Sequence, residues 1–113
     1  MIRLPESVHA YFAASNEAKP EAFLAAFDDN AYVQDNGRAI SGIKAIAGWI
    51  KAEVFDVHVQ FKIIDIAKKD GTYHVIASVD GDFDKTNLPA PLLMKHSFQL
   101  SDGKIKELSI SLL

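Results

Sequence analysis

The chain has 113 residues, a length that fits one domain with a modest core, and its 49% hydrophobic and 24% charged residues are the balance of a folded chain rather than a disordered one. A formal net charge of −3 without a lysine block excludes the basic footprint of a nucleic-acid binder or of an anionic-membrane binder. With no cysteine, disulfides, thiolate nucleophiles and zinc–thiolate centres are excluded as well. No apolar run approaches the ~20 residues of a transmembrane helix. The segment Met1–Glu6 carries one arginine and no long apolar stretch, so no secretory signal is expected and the cytoplasm is the default location. There is no internal repeat, low-complexity tract or linker, so residues 1–113 read as a single domain.

Residues 5–15 read as a helix, with Pro5 in the first turn and Leu4, Val8, Tyr11, Phe12 and Ser15 at helical spacing. Residues 19–28 read as a second, short helix opened by Pro20 and Glu21, with Phe23, Ala26 and Phe27 as its apolar stripe; Asp28–Asn30 is its stop. The stretch AYVQDNG, residues 31–37, reads as a short strand running into a turn, and Arg38–Ser41 as a brief extended piece. Ser41 is placed to cap a third helix over residues 42–55, with Ile43, Ile46, Ala47 and Ile50 facing inward and Trp49 beside them, where it could rim a cavity.

From Val57 the apolar period changes to two. Residues 57–69 form a long strand with Val57, Val59, Phe61 and Ile63 on one face, and the doubled Ile63–Ile64 followed by Ile66 predicts a bulge or a strand buried on both faces. Asp70–Gly71 and Asp102–Gly103 are hairpin turn signals. Between them lie a strand over 72–84 with Tyr73, Val75, Ala77 and Val79 alternating, a loop over 85–91, and a strand over 92–100. That last strand alternates Leu92, Met94, His96, Phe98 and Leu100, and a closing strand carries Leu108, Ile110 and Leu112 on one face. Three N-terminal helices followed by antiparallel strands make an α+β chain. Helices packed on one face of a strongly curved, mainly antiparallel sheet make a cone-shaped α+β barrel with an apolar interior, a common site for small molecules.

The helix–joint–helix–strand run VHAYFAASNEAKPEAFLAAFDDNAYVQDNG, the ISGIKAIAGWI element and the closing hairpin HSFQLSDGKIKELSI carry a resemblance. Together they resemble the SnoaL-like polyketide cyclases and ketosteroid isomerases of the nuclear transport factor 2-like superfamily. The resemblance covers nearly the whole chain, but this fold hosts enzymes, carriers and association modules alike.

By that resemblance Asp35 matches the general base of ketosteroid isomerases. A carboxylate at a strand end facing an apolar pocket is partly desolvated, which suits it to accept a proton from carbon beside a carbonyl. The competing reading is local, because Asp before Asn-Gly is also good turn chemistry. Tyr11 matches the phenol that donates to a developing enolate oxygen, and is otherwise a core aromatic. The second donor of those isomerases is a protonated Asp, a worked example in general accounts of such enzymes. Here Lys95 or His96 takes that position, with His96 preferred because it keeps the alternation of Phe98 and Leu100. His96 is either a satisfied core histidine or, if it meets Asp35, part of a base and orienter pair.

The pocket wall is expected to comprise Phe12, Phe27, Trp49, Met94 and Phe98. His9, His58 and His74 lack metal-ligand spacing, and the acidic run 80–85 lacks the length and closing Glu of a calcium loop, so no metal is assigned. No cofactor is implied. If the chain is an enzyme, the resemblance implies a cofactor-independent isomerase, cyclase or lyase acting on an apolar carbonyl compound. The alternative is a non-catalytic ligand-binding or dimerisation module. A homodimer through the outer sheet face is expected in either case, with Ile64, Ile66 and Ile76 as its apolar residues.

Overall fold

A computed structural model describes residues 3–113, so Met1 and Ile2, part of the N-terminal segment read above, lie outside the described residues. The elements run α1 (Glu6–Asn16), α2 (Pro20–Ala25), β1 (Phe27–Asp35), β2 (Arg38–Ser41), α3 (Ile43–Ile50), one π-helical turn (Lys51–Phe55), β3 (Gln60–Lys69), β4 (Thr72–Asp80), β5 (Leu93–Ser101) and β6 (Lys104–Leu112). The strands form one six-stranded sheet in the order β2-β1-β6-β5-β4-β3. Only the β1–β6 pair is parallel. The helices cover one face of this curved sheet, which is the α+β cone expected. No helix among the described residues is long and apolar enough to cross a membrane.

Three hairpins are set by their turn residues. Asn36–Gly37, Asp70–Gly71 and Asp102–Gly103 all hold positive φ at both positions, the backbone that two-residue turns between twisted strands require. The β3–β4 ladder slips between Ile63 and Asp65, so the predicted bulge sits at Ile64. The bulge corrects one expectation. It returns Ile66 to the helix-covered face opposite Val75, where it packs on the core, so Ile66 does not join Ile64 and Ile76 on the outer face.

Several boundaries differ from the sequence reading, each for a local reason. The second helix stops at Ala25 because Ala26 already accepts a bond from Ile105 N at 2.9 Å and Phe27 pairs with β6. Ser41 is still paired in β2 with Tyr32, so Gly42 rather than Ser41 takes the N-cap position of α3, at a φ of +86° that favours glycine. The α-helical part of the third helix ends at Ile50 and loosens into the π turn, and the next strand starts at Gln60, not Val57. Residues 81–92 form a longer connection than the loop expected over 85–91.

Aromatic side chains close the end of the cone nearest α1 and α2. Tyr11 lies 4.6 Å from Phe23, 5.2 Å from Phe98 and 4.9 Å from Phe12 between ring centroids, and Phe27 packs behind them. The end of α1 is tied to edge strand β3 by side chains that replace a missing strand. Asn16 Oδ1 accepts from Phe61 N at 2.7 Å and its Nδ2 donates to Phe61 O at 2.9 Å, while Ser15 Oγ donates to Val59 O at 2.8 Å. These bonds satisfy edge backbone that would otherwise lack a partner and fix where Tyr11 enters the cone.

Candidate functional site

Register places the candidate residues. One row crosses the helix-covered face as Asp35, Ile110, His96, Val75 and Ile66 on β1, β6, β5, β4 and β3. Asp35 and His96 are therefore two strands apart, roughly 10 Å between backbones. Lys95 sits on the opposite, exposed face, so of the two residues left open it is His96 that faces inward.

Two adjacent cavities that share part of their lining open beside this row. The inner chamber, about 100 Å³, is lined by Tyr11, Asp35, Trp49, Phe61 and His96, with Glu53 and Val54 from the π turn. The outer chamber, about 330 Å³, shares Asp35, Glu53, Val59, Val79 and Met94 with it and is closed on its far side by Phe83, Leu88 and Leu92 of the 81–92 connection. A third cavity of about 450 Å³ lies between that connection and the start of β3. Tyr11, Asp35 and His96 thus border one chamber, and Trp49 and Met94 border it with them. Phe12, Phe27 and Phe98 do not. They lie buried in the closed aromatic end, because the helices reach down onto that part of the face. The expectation of them as pocket wall is corrected accordingly.

Asp35 ends β1 just before the Asn36–Gly37 turn, and its side chain is 18% exposed. Asp35 flanks the two-residue turn, but the backbone N–H of Asn36 goes to Ile110 O rather than to the Asp35 side chain. Asp35 Oδ2 accepts from Trp49 Nε1 at 3.1 Å and from Arg38 Nη2 at 3.1 Å. Arg38 in turn pairs with Glu53, a bond that raises its pKa above the ordinary value. Among the described residues no donor reaches Asp35 Oδ1. One oxygen thus accepts two hydrogen bonds and the other none among the described residues.

Tyr11 is buried, and burial first and the Asp35 charge second push its hydroxyl well above the usual phenol range, so it stays a neutral donor. His96 is 1% exposed, and burial depresses it to about 4. The Met94 and Val75 carbonyls and the Asp35 charge pull the other way without overcoming burial, and His96 Nδ1 has no hydrogen-bond partner among the described residues. Its ring is uncharged at neutral pH. The base and orienter pair is not made: Asp35 spends its bonds on Trp49 and Arg38, and His96 stands across the chamber.

Sequence reasoning missed Arg38 and Glu53. Arg38 had a signal, since a two-residue turn pairs the residues on either side of it, here Asp35 with Arg38. Glu53 had none, because its approach depends on the π turn. In the acidic run, each of three carboxylates has a local partner. Asp80 pairs with Lys85 at 2.6 Å, Asp82 with His58 at 2.8 Å, and Asp84 accepts from Thr86 N at 2.9 Å. Among the described residues no group of three or more His, Asp or Glu side chains could hold a metal ion.

The sequence profile of the SnoaL-like domain family matches residues 8–108. Among proteins of curated function, none matches the chain in sequence. Solved structures do match. A candidate polyketide cyclase from Sinorhizobium meliloti is 28% identical, with a TM-score of 0.84 over 96% of this chain and 95% of that one. An NTF2-like protein of unknown function from Cytophaga hutchinsonii is 10% identical, with a TM-score of 0.76 over 100% and 95%. A Mycobacterium tuberculosis protein in complex with estradiol-17beta-hemisuccinate is 12% identical, with a TM-score of 0.74 over 92% and 88%. The last two likenesses speak to fold alone.

Proposed function

The chain belongs to the SnoaL-like domain family, and from that premise we propose that it works as one domain binding an apolar carbonyl compound in the two chambers and acting on it by acid/base chemistry. The observation that carries this reading is the state of Asp35, with Oδ2 held by Trp49 and Arg38 and Oδ1 without a donor, on a residue lining both chambers. In this reading Oδ1 takes a proton from carbon beside the carbonyl, and the neutral Tyr11 phenol donates to the oxygen on which charge develops. His96, uncharged, exchanges hydrogen bonds with the ligand through a ring otherwise lacking a partner at Nδ1. The outer chamber, at about 330 Å³, falls in the size range of small-molecule pockets and supplies apolar wall for the rest of the molecule. The steroid derivative bound by the M. tuberculosis structure supports a ligand of this shape.

The lack of a carboxylic acid where His96 stands favours a second reading, binding without turnover. Neutral polycyclic ketones separate the two. Acid/base action predicts turnover that Asp35→Asn removes while binding persists; full turnover in Asp35→Asn would eliminate Asp35 as the base. We also propose a homodimer through the outer sheet face, where Tyr32, Ile64 and Ile76 supply apolar area. A monomer in sedimentation at micromolar concentration would contradict it. The cytoplasm is retained as the proposed location.

A further inference from the structure

We propose that the inner chamber is a binding site for small alkylammonium ions, with Asp35 as counter-ion. Three features of the chamber point there. The first is its wall, where the rings of Tyr11, Trp49, Phe61 and His96 border one space. Tyr11 and Phe61 centroids lie 5.7 Å apart, and Phe61 and His96 centroids 5.4 Å apart. Clustered aromatic rings attract the diffuse positive charge of a substituted ammonium and dehydrate it at less cost than a simple metal ion.

The second feature is charge. Asp35 and Glu53 both border the chamber, and among the described residues Arg38 is the single cation bonded to them. One formal negative charge is left over, and Oδ1 of Asp35 has no donor among the described residues. His96 adds no opposing charge, and its Nδ1 is buried beside the chamber with no hydrogen-bond partner among the described residues. An anion would meet two carboxylates here.

The third feature is size. About 100 Å³ is the share of roughly three liquid waters, which suits a trimethylammonium ion; tetrabutylammonium, with chains on every side of its nitrogen, cannot seat its charge here even if some chains reach the adjoining chamber. The inference does not depend on the acid/base reading, because it needs Asp35 only as a charge. It adds a consequence to that reading: a small alkylammonium ion competes with the carbonyl ligand for the inner chamber.

The chain contains one tryptophan, so its fluorescence and its indole N–H resonance report on this chamber alone. The test titrates the full chain with trimethylammonium chloride, tert-butanol as neutral isostere, pivalate as anion, and tetrabutylammonium as oversized cation. The expected result is a saturable shift of the Trp49 indole resonance with trimethylammonium only. Affinity should fall about tenfold in Asp35→Asn, as expected for losing a charged hydrogen-bond partner, and by a smaller factor in Glu53→Gln. Equal binding of tert-butanol and trimethylammonium overturns the proposal. So does a response to trimethylammonium that never saturates. Should Asp35→Asn not fold, Glu53→Gln carries the test of charge: reduced affinity for trimethylammonium supports the proposal, and unchanged affinity overturns it. Failure of ketone turnover bears only on the earlier reading, since the ammonium titration needs no catalysis.

Discussion

Phe98 and Met94 sit four residues apart on the same face of β5, and their surroundings are opposite. Phe98 is fully buried against Tyr11 and Phe12, with Leu108 across the strand. Met94 is half-buried and borders both chambers. His96 lies between them, buried yet bordering the inner chamber. Moving along one strand by two residues at a time thus passes from core, through chamber floor, to open wall. The difference comes from what covers the sheet. Over Phe98 lie Tyr11 and Phe12 of α1. Met94 instead shares the chambers with Trp49, the π turn and the 81–92 connection, where space is left.

The largest expected effect tests the closed end. Phe98→Ala should cost ~3–5 kcal/mol of stability in urea denaturation, the usual range for emptying a packed aromatic site, whereas Met94→Ala should cost less than ~2 kcal/mol. Equal losses would erase the distinction between the two ends.

His96 gives the next effect, through pH. Its pKa is about 4 in the folded chain against an ordinary value of 6.5, so the unfolded chain binds a proton that the folded one refuses between those values. Its contribution to stability is therefore complete above about 6.5 and is lost as pH falls toward about 4, on the order of 3 kcal/mol for this group. Unfolding free energy measured across that window should flatten in His96→Leu relative to the parent chain. An unchanged slope would place a charge-tolerant, wetter environment around the ring.

Smaller effects sharpen the picture of how the two ends are joined. Asn16→Ala removes two bonds to the Phe61 backbone and should cost about 1–2 kcal/mol. Amide exchange at Phe61 should rise with it; protection as in the parent chain would mean that the edge is held some other way. Trp49→Phe removes one of the two donors to Asp35 Oδ2 and should cost about 1 kcal/mol, read from the denaturation midpoint.

The hairpins and the bulge were legible in sequence because each is a local matter: Asn-Gly and Asp-Gly fix a turn, and two adjacent isoleucines break a period of two. The face on which Phe98, His96 and Met94 lie was legible for the same reason. What alternation does not encode is position along the face, which is why Phe12, Phe27 and Phe98 were expected as pocket wall and are core. That depends on how far α1 and α2 extend over the sheet, a tertiary matter. Ile66 was misplaced because a bulge changes the face of every residue after it. Asp35 was separable from its turn by resemblance, but its partners were not. Trp49 reaches it across the cone, and Glu53 joins through Arg38 only because the third helix loosens into a π turn.

The central claim is that the open end, entered beside Asp35, is where a ligand sits. Backbone and indole shift mapping with a neutral polycyclic ketone tests it most directly. The account predicts saturable changes at Asp35, Trp49, Met94 and His96 and through the connection from Phe83 to Leu92, with Phe12, Phe23 and Phe27 unmoved. Changes centred on the closed aromatic end or on the outer sheet face, with Asp35 and Trp49 silent, would contradict it.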